Sequence, residues 1–421
     1  VNLHPDRVRL LASLGFNFIA RIPGLAAVFL ILPLVSRSLG TASYGEFLSA
    51  LALGGAFTVP LGGLNAVGRR LLASAFGAQD APRQASVFVT TTLLTGCLAL
   101  LGALLLVLLS GRTWTAPVFI FIAMLPLMLG FLNTFDNLRA CYNEHYVTAQ
   151  FQLVSQSVIY ALVLLIGLPP GAIAIAGLTL QGPVALASGA TLVALLVKRP
   201  FLLSGKVAGI GGMLLPALGV MLADGALGLL MNLSVYWLNF SHHAEMAAWF
   251  GTFGRLFQSF LQPVLLVVLP VTSYISMRWG QMPRERRRLL HQLFIVAGFG
   301  YGLIVGGAMA FFGPLYIDHM FKLSTHGDRF DVLGLSLFMG AVIAQKTYSM
   351  LIYAVSEARF VSFGTALACV VGVGAAALSS LWLPAVRVLD VLFLAVALGI
   401  PAVLLTGGYR YRRELQPAER A

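Results

Sequence analysis

The chain has 421 residues, 59% of them hydrophobic and only 10% charged, with 27 Lys and Arg against 15 Asp and Glu. So little polar surface cannot coat a water-soluble globule, which excludes a soluble enzyme and a nucleic-acid partner despite the formal charge of +12. The composition is that of an all-α integral membrane protein, because the apolar runs are continuous and about twice as long as the roughly 10-residue alternating strands of a membrane barrel.

A bilayer core of about 30 Å takes about 20 helical residues to cross. Twelve runs of that kind are predicted: Leu10 to Val35, Tyr44 to Leu72, Val87 to Leu109, Thr115 to Leu138, Val147 to Gly167, Gly171 to Val197, Gly212 to Phe240, Ala244 to Tyr274, Leu289 to Phe312, Phe330 to Val355, Phe360 to Trp382 and Val388 to Leu405. The first contains Arg21. Were the span to begin after that arginine, Ile22 to Val35 would reach only about 21 Å, too short to cross. Arg21 therefore sits deep, where a cation costs on the order of 2.5 to 3.5 kcal/mol unless it faces water or a partner. Ser13, Asn17 and Arg21 recur at i, i+4 and i+8 and form one polar stripe, and Pro23 is expected to kink the helix beside the charge.

Further polar stripes follow along the chain. The second span offers Thr58, Gly62, Asn65 and Arg69, and the fifth Gln152, Ser155, Gln156 and Tyr160. The seventh carries Asp224 and, two turns later, Asn232, as an ion-coupling or charge-pairing site. In the eighth, Arg255, Gln258, Ser259 and Gln262 fall at i, i+3, i+4 and i+7, and the tenth holds Lys346 in QKTYS. Arg69 and Lys346 are close enough to a helix end to snorkel instead, and the glutamines serve equally as interhelical glue. Deep arginines outnumbering acids suit an anionic ligand. Arginine grips phosphate oxygens through paired hydrogen bonds and keeps its charge when partly desolvated. The expected substrate site is therefore Arg21, Arg255, Asn17, Asn65, Arg69, Gln258, Gln262 and Lys346, with no metal and no cofactor. Cys97, Cys141 and Cys369 have no paired spacing.

Orientation follows from Lys and Arg in short loops. With the N-terminus inside, the outer loops keep only Arg37, Arg112, Lys322, Arg329 and Arg387, and the rest outside the spans lie on the cytoplasmic side, including the RERRR run at Arg284 to Arg288. Both termini are then cytoplasmic, and the basic clusters meet anionic lipid headgroups. The first run, with its arginine and no small-residue cleavage site behind it, reads as a span and not a cleaved signal. The glycine-rich connection Lys198 to Gly212 divides the chain into six-helix lobes at 1–200 and 201–421. Two echoes cross it: SYGEF at Gly45 with WFGTFG at Gly251, and ACYNEHYV at Glu144 with AVSEARFV at Glu357. Six helices followed by six make this a parallel repeat, as in two-lobed transporters.

The segment LPLVSRSLGTASYGEFLSALALGGAFTVPLGGLNAVGRRLL, Leu32 to Leu72, resembles the start of Wzx-type polysaccharide flippases. Their superfamily, the multidrug/oligosaccharidyl-lipid/polysaccharide (MOP) exporters, also holds the multidrug and toxin extrusion (MATE) proteins and the lipid II flippase. The matching features are a basic loop after the first helix, then Leu-Gly, Tyr-Gly and a helix ending in a basic pair. The resemblance implies a MATE-like fold with a central cationic cavity, a bacterial inner-membrane location and undecaprenyl-diphosphate-linked oligosaccharide as substrate. It also implies contact with the glycan polymerase machinery. Arg21 and Arg255 occupy places similar to important arginines of the lipid II branch, whose two additional C-terminal helices have no counterpart here. That points to an O-antigen or exopolysaccharide repeat unit. Two alternatives stand beside it: a MATE-like drug exporter, which would want acids to dominate its cavity, and a membrane glycan polymerase or ligase using the outer loop YIDHMFKLSTHGDRFD, with His319 and His326.

Overall fold

The computed structural model describes residues 5–113, 117–142, 144–241, 243–279, 282–323, 329–355, 359–383 and 385–414, and within them every regular element is helical. In chain order these are α1 (Pro5–Ala26), a π turn (Ala27–Ile31), α2 (Leu32–Leu39), α3 (Thr41–Phe57), α4 (Val59–Gly77), α5 (Ala81–Thr113), α6 (Pro117–Ala140), α7 (His145–Ile166) and α8 (Ile173–Lys198). A 3-10 turn (Pro200–Ser204) leads to α9 (Ile210–Val220), a second π turn (Met221–Gly225), α10 (Ala226–Phe240), α11 (Ala244–Arg278), α12 (Arg284–Phe321), α13 (Arg329–Val355), α14 (Arg359–Ser379) and α15 (Ala385–Glu414).

Among the described residues nine helical stretches are long and apolar enough to cross a membrane, and the bent pair α3–α4 makes ten. The two other predicted segments fall on α9–α10 and on α11. The outer surface is greasy, with Leu165 83% exposed, Phe311 76% and Trp382 79%. Such residues are at ease only against lipid, so this is a multi-pass membrane protein.

Prolines mark the interruptions. α1 runs through Pro23, which lacks the donor an interior residue supplies, and opens into the π turn at Ala27, just before Pro33. The expected kink is thus a local unwinding. α9 repeats the arrangement, with Pro216 ahead of the π turn at Met221. The second predicted span, read as one helix, bends by 44° at Thr58, whose hydroxyl donates to the Gly55 carbonyl (2.7 Å) just ahead of Pro60.

α1 packs on α7, α7 on α8, α6 on α3 and α8, and α4 on α5; later in the chain α12 packs on α13, and α13 and α14 on α15. In the α12–α13 pair, Gly302 and Gly340 each lie so near the other's carbonyl that neither has room for a Cβ, the close approach that small residues permit inside a membrane. The early and late helices meet where α3 packs on α10 and α11, α1 on α11, and α4 on α9.

Candidate functional site

Each polar stripe needs a partner for its stripe, and several of them turn toward a common space. A cavity of about 690 Å³ is lined by Arg21 of α1; Gly62, Asn65 and Arg69 of α4; Asn133, Asp136 and Asn137 of α6; Thr148 and Gln152 of α7; Gln181 of α8; Gln258 and Gln262 of α11; and Lys346 of α13. A chamber of about 210 Å³ adjoins it, sharing Arg21, Gln181, Gln258 and Gln262 and adding Arg255, Ser259 and Tyr160. Asn133 and Gln258 are exposed although they lie inside helices of the bundle, because they look into this space.

The sequence-predicted residues are therefore distributed unequally. Arg21, Asn65, Arg69, Gln258, Gln262 and Lys346 share the large cavity, and Arg255 faces the smaller one. Of the fifth-span stripe, Gln152 and Tyr160 reach the two spaces, whereas Ser155 donates to the Pro183 carbonyl (2.8 Å) and Gln156 lies beside Gly24. Asn232 lies on neither lining and packs on Gly55 of α3. The side chains of Ser13, Asn17 and Asp224 lie outside the described residues, as does Glu357, and so do residues 324–328 of the outer loop with His326.

Among the described residues neither Arg21 nor Arg255 has an ion pair within 4 Å or a side-chain hydrogen bond. Their donors stay available to a ligand. Arg69 is anchored through its backbone, where its carbonyl accepts from the Cys141 thiol (3.1 Å). The buried Asn65 Oδ1 accepts no hydrogen bond, an unmet acceptor at the cavity wall.

Asp136 was not read as a site residue. Its Oδ2 accepts from the Ser188 hydroxyl (2.6 Å), and it faces the cavity together with Arg21, Arg69 and Lys346. The signal was present: Gly130, Asn133, Asp136 and Asn137 all line the cavity at helical spacing.

The cavity lies in one half of the bundle. It takes residues from α4 but none from α3, and from the middle of α11 but not its start. Elsewhere α3 and α11 pack closely. There Gly45 of α3 abuts the backbone of Ala244, leaving no room for a Cβ, and a Cβ on Gly251 of α11 would stand 2.8 Å from Leu48 Cδ1. The hydroxyls of Tyr44 and Thr252 are hydrogen-bonded (3.2 Å), Tyr44 stacks with Phe321, and the Tyr316 hydroxyl donates to the Val28 carbonyl (3.0 Å). The echoing motifs SYGEF and WFGTFG thus form a seam against each other.

No protein-family model matches the sequence, and no curated protein does. Solved structures do. A multidrug resistance MATE family transporter of the MOP superfamily, in an inward-facing conformation, is 17% identical, with 98% of this chain and 100% of that one covered at a TM-score of 0.61. A Vibrio cholerae MATE transporter is 12% identical over 98% of both chains at 0.65. A MATE protein in complex with MaL6 is 18% identical over 97% of this chain and 96% of its own at 0.63. The chain has the MATE transporter fold. Within that fold the two polar chambers take residues from both early and late helices, and α3 lines neither of them.

Proposed function

We propose that this protein is a flippase of the bacterial inner membrane, moving undecaprenyl-diphosphate-linked oligosaccharide repeat units of an O-antigen or exopolysaccharide to the outer leaflet. The carrying observation is the charge balance of the chambers: Arg21, Arg69, Lys346 and Arg255 stand against Asp136 among the described side chains. Arginines not locked into an ion pair can hold a diphosphate. The amide-rich remainder, with Asn65, Asn133, Asn137, Gln152, Gln181, Gln258 and Gln262, offers donors and acceptors to sugar hydroxyls. The prenyl tail stays in lipid.

In this reading twelve spans form two lobes, 1–200 and 201–421, with both termini cytoplasmic, and the large cavity then faces the cytoplasm. Transport is alternating access with no covalent chemistry and no cofactor. An inside-negative potential pushes a doubly charged headgroup outward by up to ~4.6 kcal/mol per 100 mV if both charges cross the full field. Deleting the protein should abolish surface glycan while lipid-linked repeat units accumulate toward the cytoplasm.

A second reading has support in the fold shared with a multidrug resistance transporter and in the cavity carboxylate Asp136: export of cationic amphiphiles. It predicts that deletion leaves glycan intact and sensitises cells to cationic drugs. That result would displace the flippase reading.

A further inference from the structure

Asp136 is the one carboxylate among the described side chains lining the large cavity, and its neighbours are cationic. Arg21 faces it from α1, Arg69 from α4 and Lys346 from α13, and Arg139 stands one turn along its own helix. α11 contributes the neutral Gln258 and Gln262; α3, α5 and α8 bring no charged side chain to the lining. Beyond α6, Glu144 at the head of α7 is already bound by Lys198, Arg199 and Arg139. Ser188 of α8 fixes the Asp136 carboxylate with a hydrogen bond of 2.6 Å. Asp136 and Arg21 interact electrostatically without closing into an ion pair, so the space between opposite charges stays open.

We infer that Asp136 is the resident counter-anion of this cavity, balancing Arg21 while the site is empty and giving way to the phosphate oxygens of the substrate. This role rests on the anionic-substrate reading above. It has a definite sign. A proton on Asp136 removes a negative charge that repels the incoming anion and releases Arg21 to it, so proton and anion bind cooperatively. For a cationic ligand the same carboxylate is the attractive group, and a proton competes with the ligand. Opposite pH dependences thus separate the two substrate classes at one residue.

The test is binding of geranyl diphosphate, a soluble prenyl diphosphate, to the full chain in detergent micelles, from about pH 8 to about pH 5. Relative to Asp136→Asn, the wild type should gain affinity as pH falls, the titration of the ligand's own terminal phosphate being common to both. Asp136→Asn, which keeps an acceptor for Ser188, should bind on the order of tenfold more tightly at neutral pH and keep only the ligand's own pH dependence. Arg21→Gln should weaken binding and flatten the profile, because the charge that Asp136 balances is gone. A wild-type pH profile that parallels that of Asp136→Asn, with no gain in that variant at neutral pH, overturns the counter-anion role and leaves the flippase reading standing. Failure of any variant to bind it, together with tetraphenylphosphonium binding that weakens at low pH and vanishes in Asp136→Asn, overturns both.

Discussion

Arg21 and Arg255 are the residues on which the substrate proposal can be tested most directly, since among the described residues neither closes into an ion pair within 4 Å. Alanine at either position removes a phosphate donor without breaking a closed ion pair, so each variant should reach the membrane at normal abundance and export poorly. Lysine keeps the charge but loses the planar fork, and should retain part of the activity, with more loss at whichever arginine takes two oxygens at once. Export assays normalised to protein level read this out. If both alanine variants lose abundance and not activity per molecule, the arginines are structural. What the sequence disclosed at this scale was the face of each helix: polar stripes at i, i+3, i+4 and i+7 located Asn65, Arg69, Gln258 and Gln262. It could not disclose which helices face one another. Gln181, a lone amide in α8, and Asp136, close to the end of α6, gained meaning only from the neighbours that packing gave them.

At the scale of elements, the central connection is fastened to the early helices. Glu144 accepts from Lys198 and, through both oxygens, from Arg199 (2.8 and 3.1 Å), with Arg139 at 3.5 Å, and the Arg199 guanidinium lies 3.8 Å over the Tyr142 ring. Further along, Leu202 is fully buried with Leu72 and Phe88, Gly205 rests on the backbone of Ala85, the Ser86 hydroxyl donates to the Lys206 carbonyl (2.7 Å), and the Ala208 N–H donates to Thr90 (3.2 Å). Only at Gly209, with φ of 69°, does the chain leave this surface. The eleven residues from Lys198 to Ala208 are thus held against the early helices, and the last four, from Gly209, form the turn into α9. Burial alone would raise the Glu144 carboxyl, but the hydrogen bonds from Arg199 and Lys198 outweigh it and hold the group at about 2. Because the folded value is depressed, the stabilisation is complete above the ordinary carboxylate range near 4.5 and disappears as pH falls toward about 2. Glu144→Gln should therefore cost about 3 kcal/mol at neutral pH. Thermal unfolding in detergent should show the gap between variant and wild type narrowing as pH drops below the carboxylate range; a constant gap would mean that shape, not charge, holds the joint.

For the whole molecule, the continuous apolar runs were enough to anticipate an all-helical membrane protein, because membrane helices announce themselves by length and hydropathy, whereas the MATE-like arrangement rested on the resemblance carried by Leu32 to Leu72. The bend at Thr58 and the two π turns were not anticipated, since proline leaves open whether a helix kinks, unwinds or simply continues. Orientation is checked by cysteines at exposed loop or helix-end positions: Gln79 and Ser204 should react with an impermeant maleimide only after the cytoplasm is opened, and Ala42 and Ser380 in intact cells. The remaining question is whether the seam of α3 and α11 moves. Its contacts lie across from the cavity, so a ligand bound at Arg21 and Arg255 can leave on that side only if Gly45 separates from Ala244 and Gly251 from Leu48. A Cβ on Gly251 would stand 3.1 Å from Leu48 Cβ, about 0.7 Å closer than the roughly 3.8 Å mean of a disulfide. The double variant Leu48→Cys, Gly251→Cys should therefore cross-link under oxidation once the two helices ease apart by less than about 1 Å. In an alternating-access transporter the cross-linked form is trapped with the cavity open to one side: export stops and returns on reduction, while geranyl diphosphate still binds from the cavity side. Full export by the quantitatively cross-linked protein would show that the seam is a fixed joint and that substrate leaves by another route.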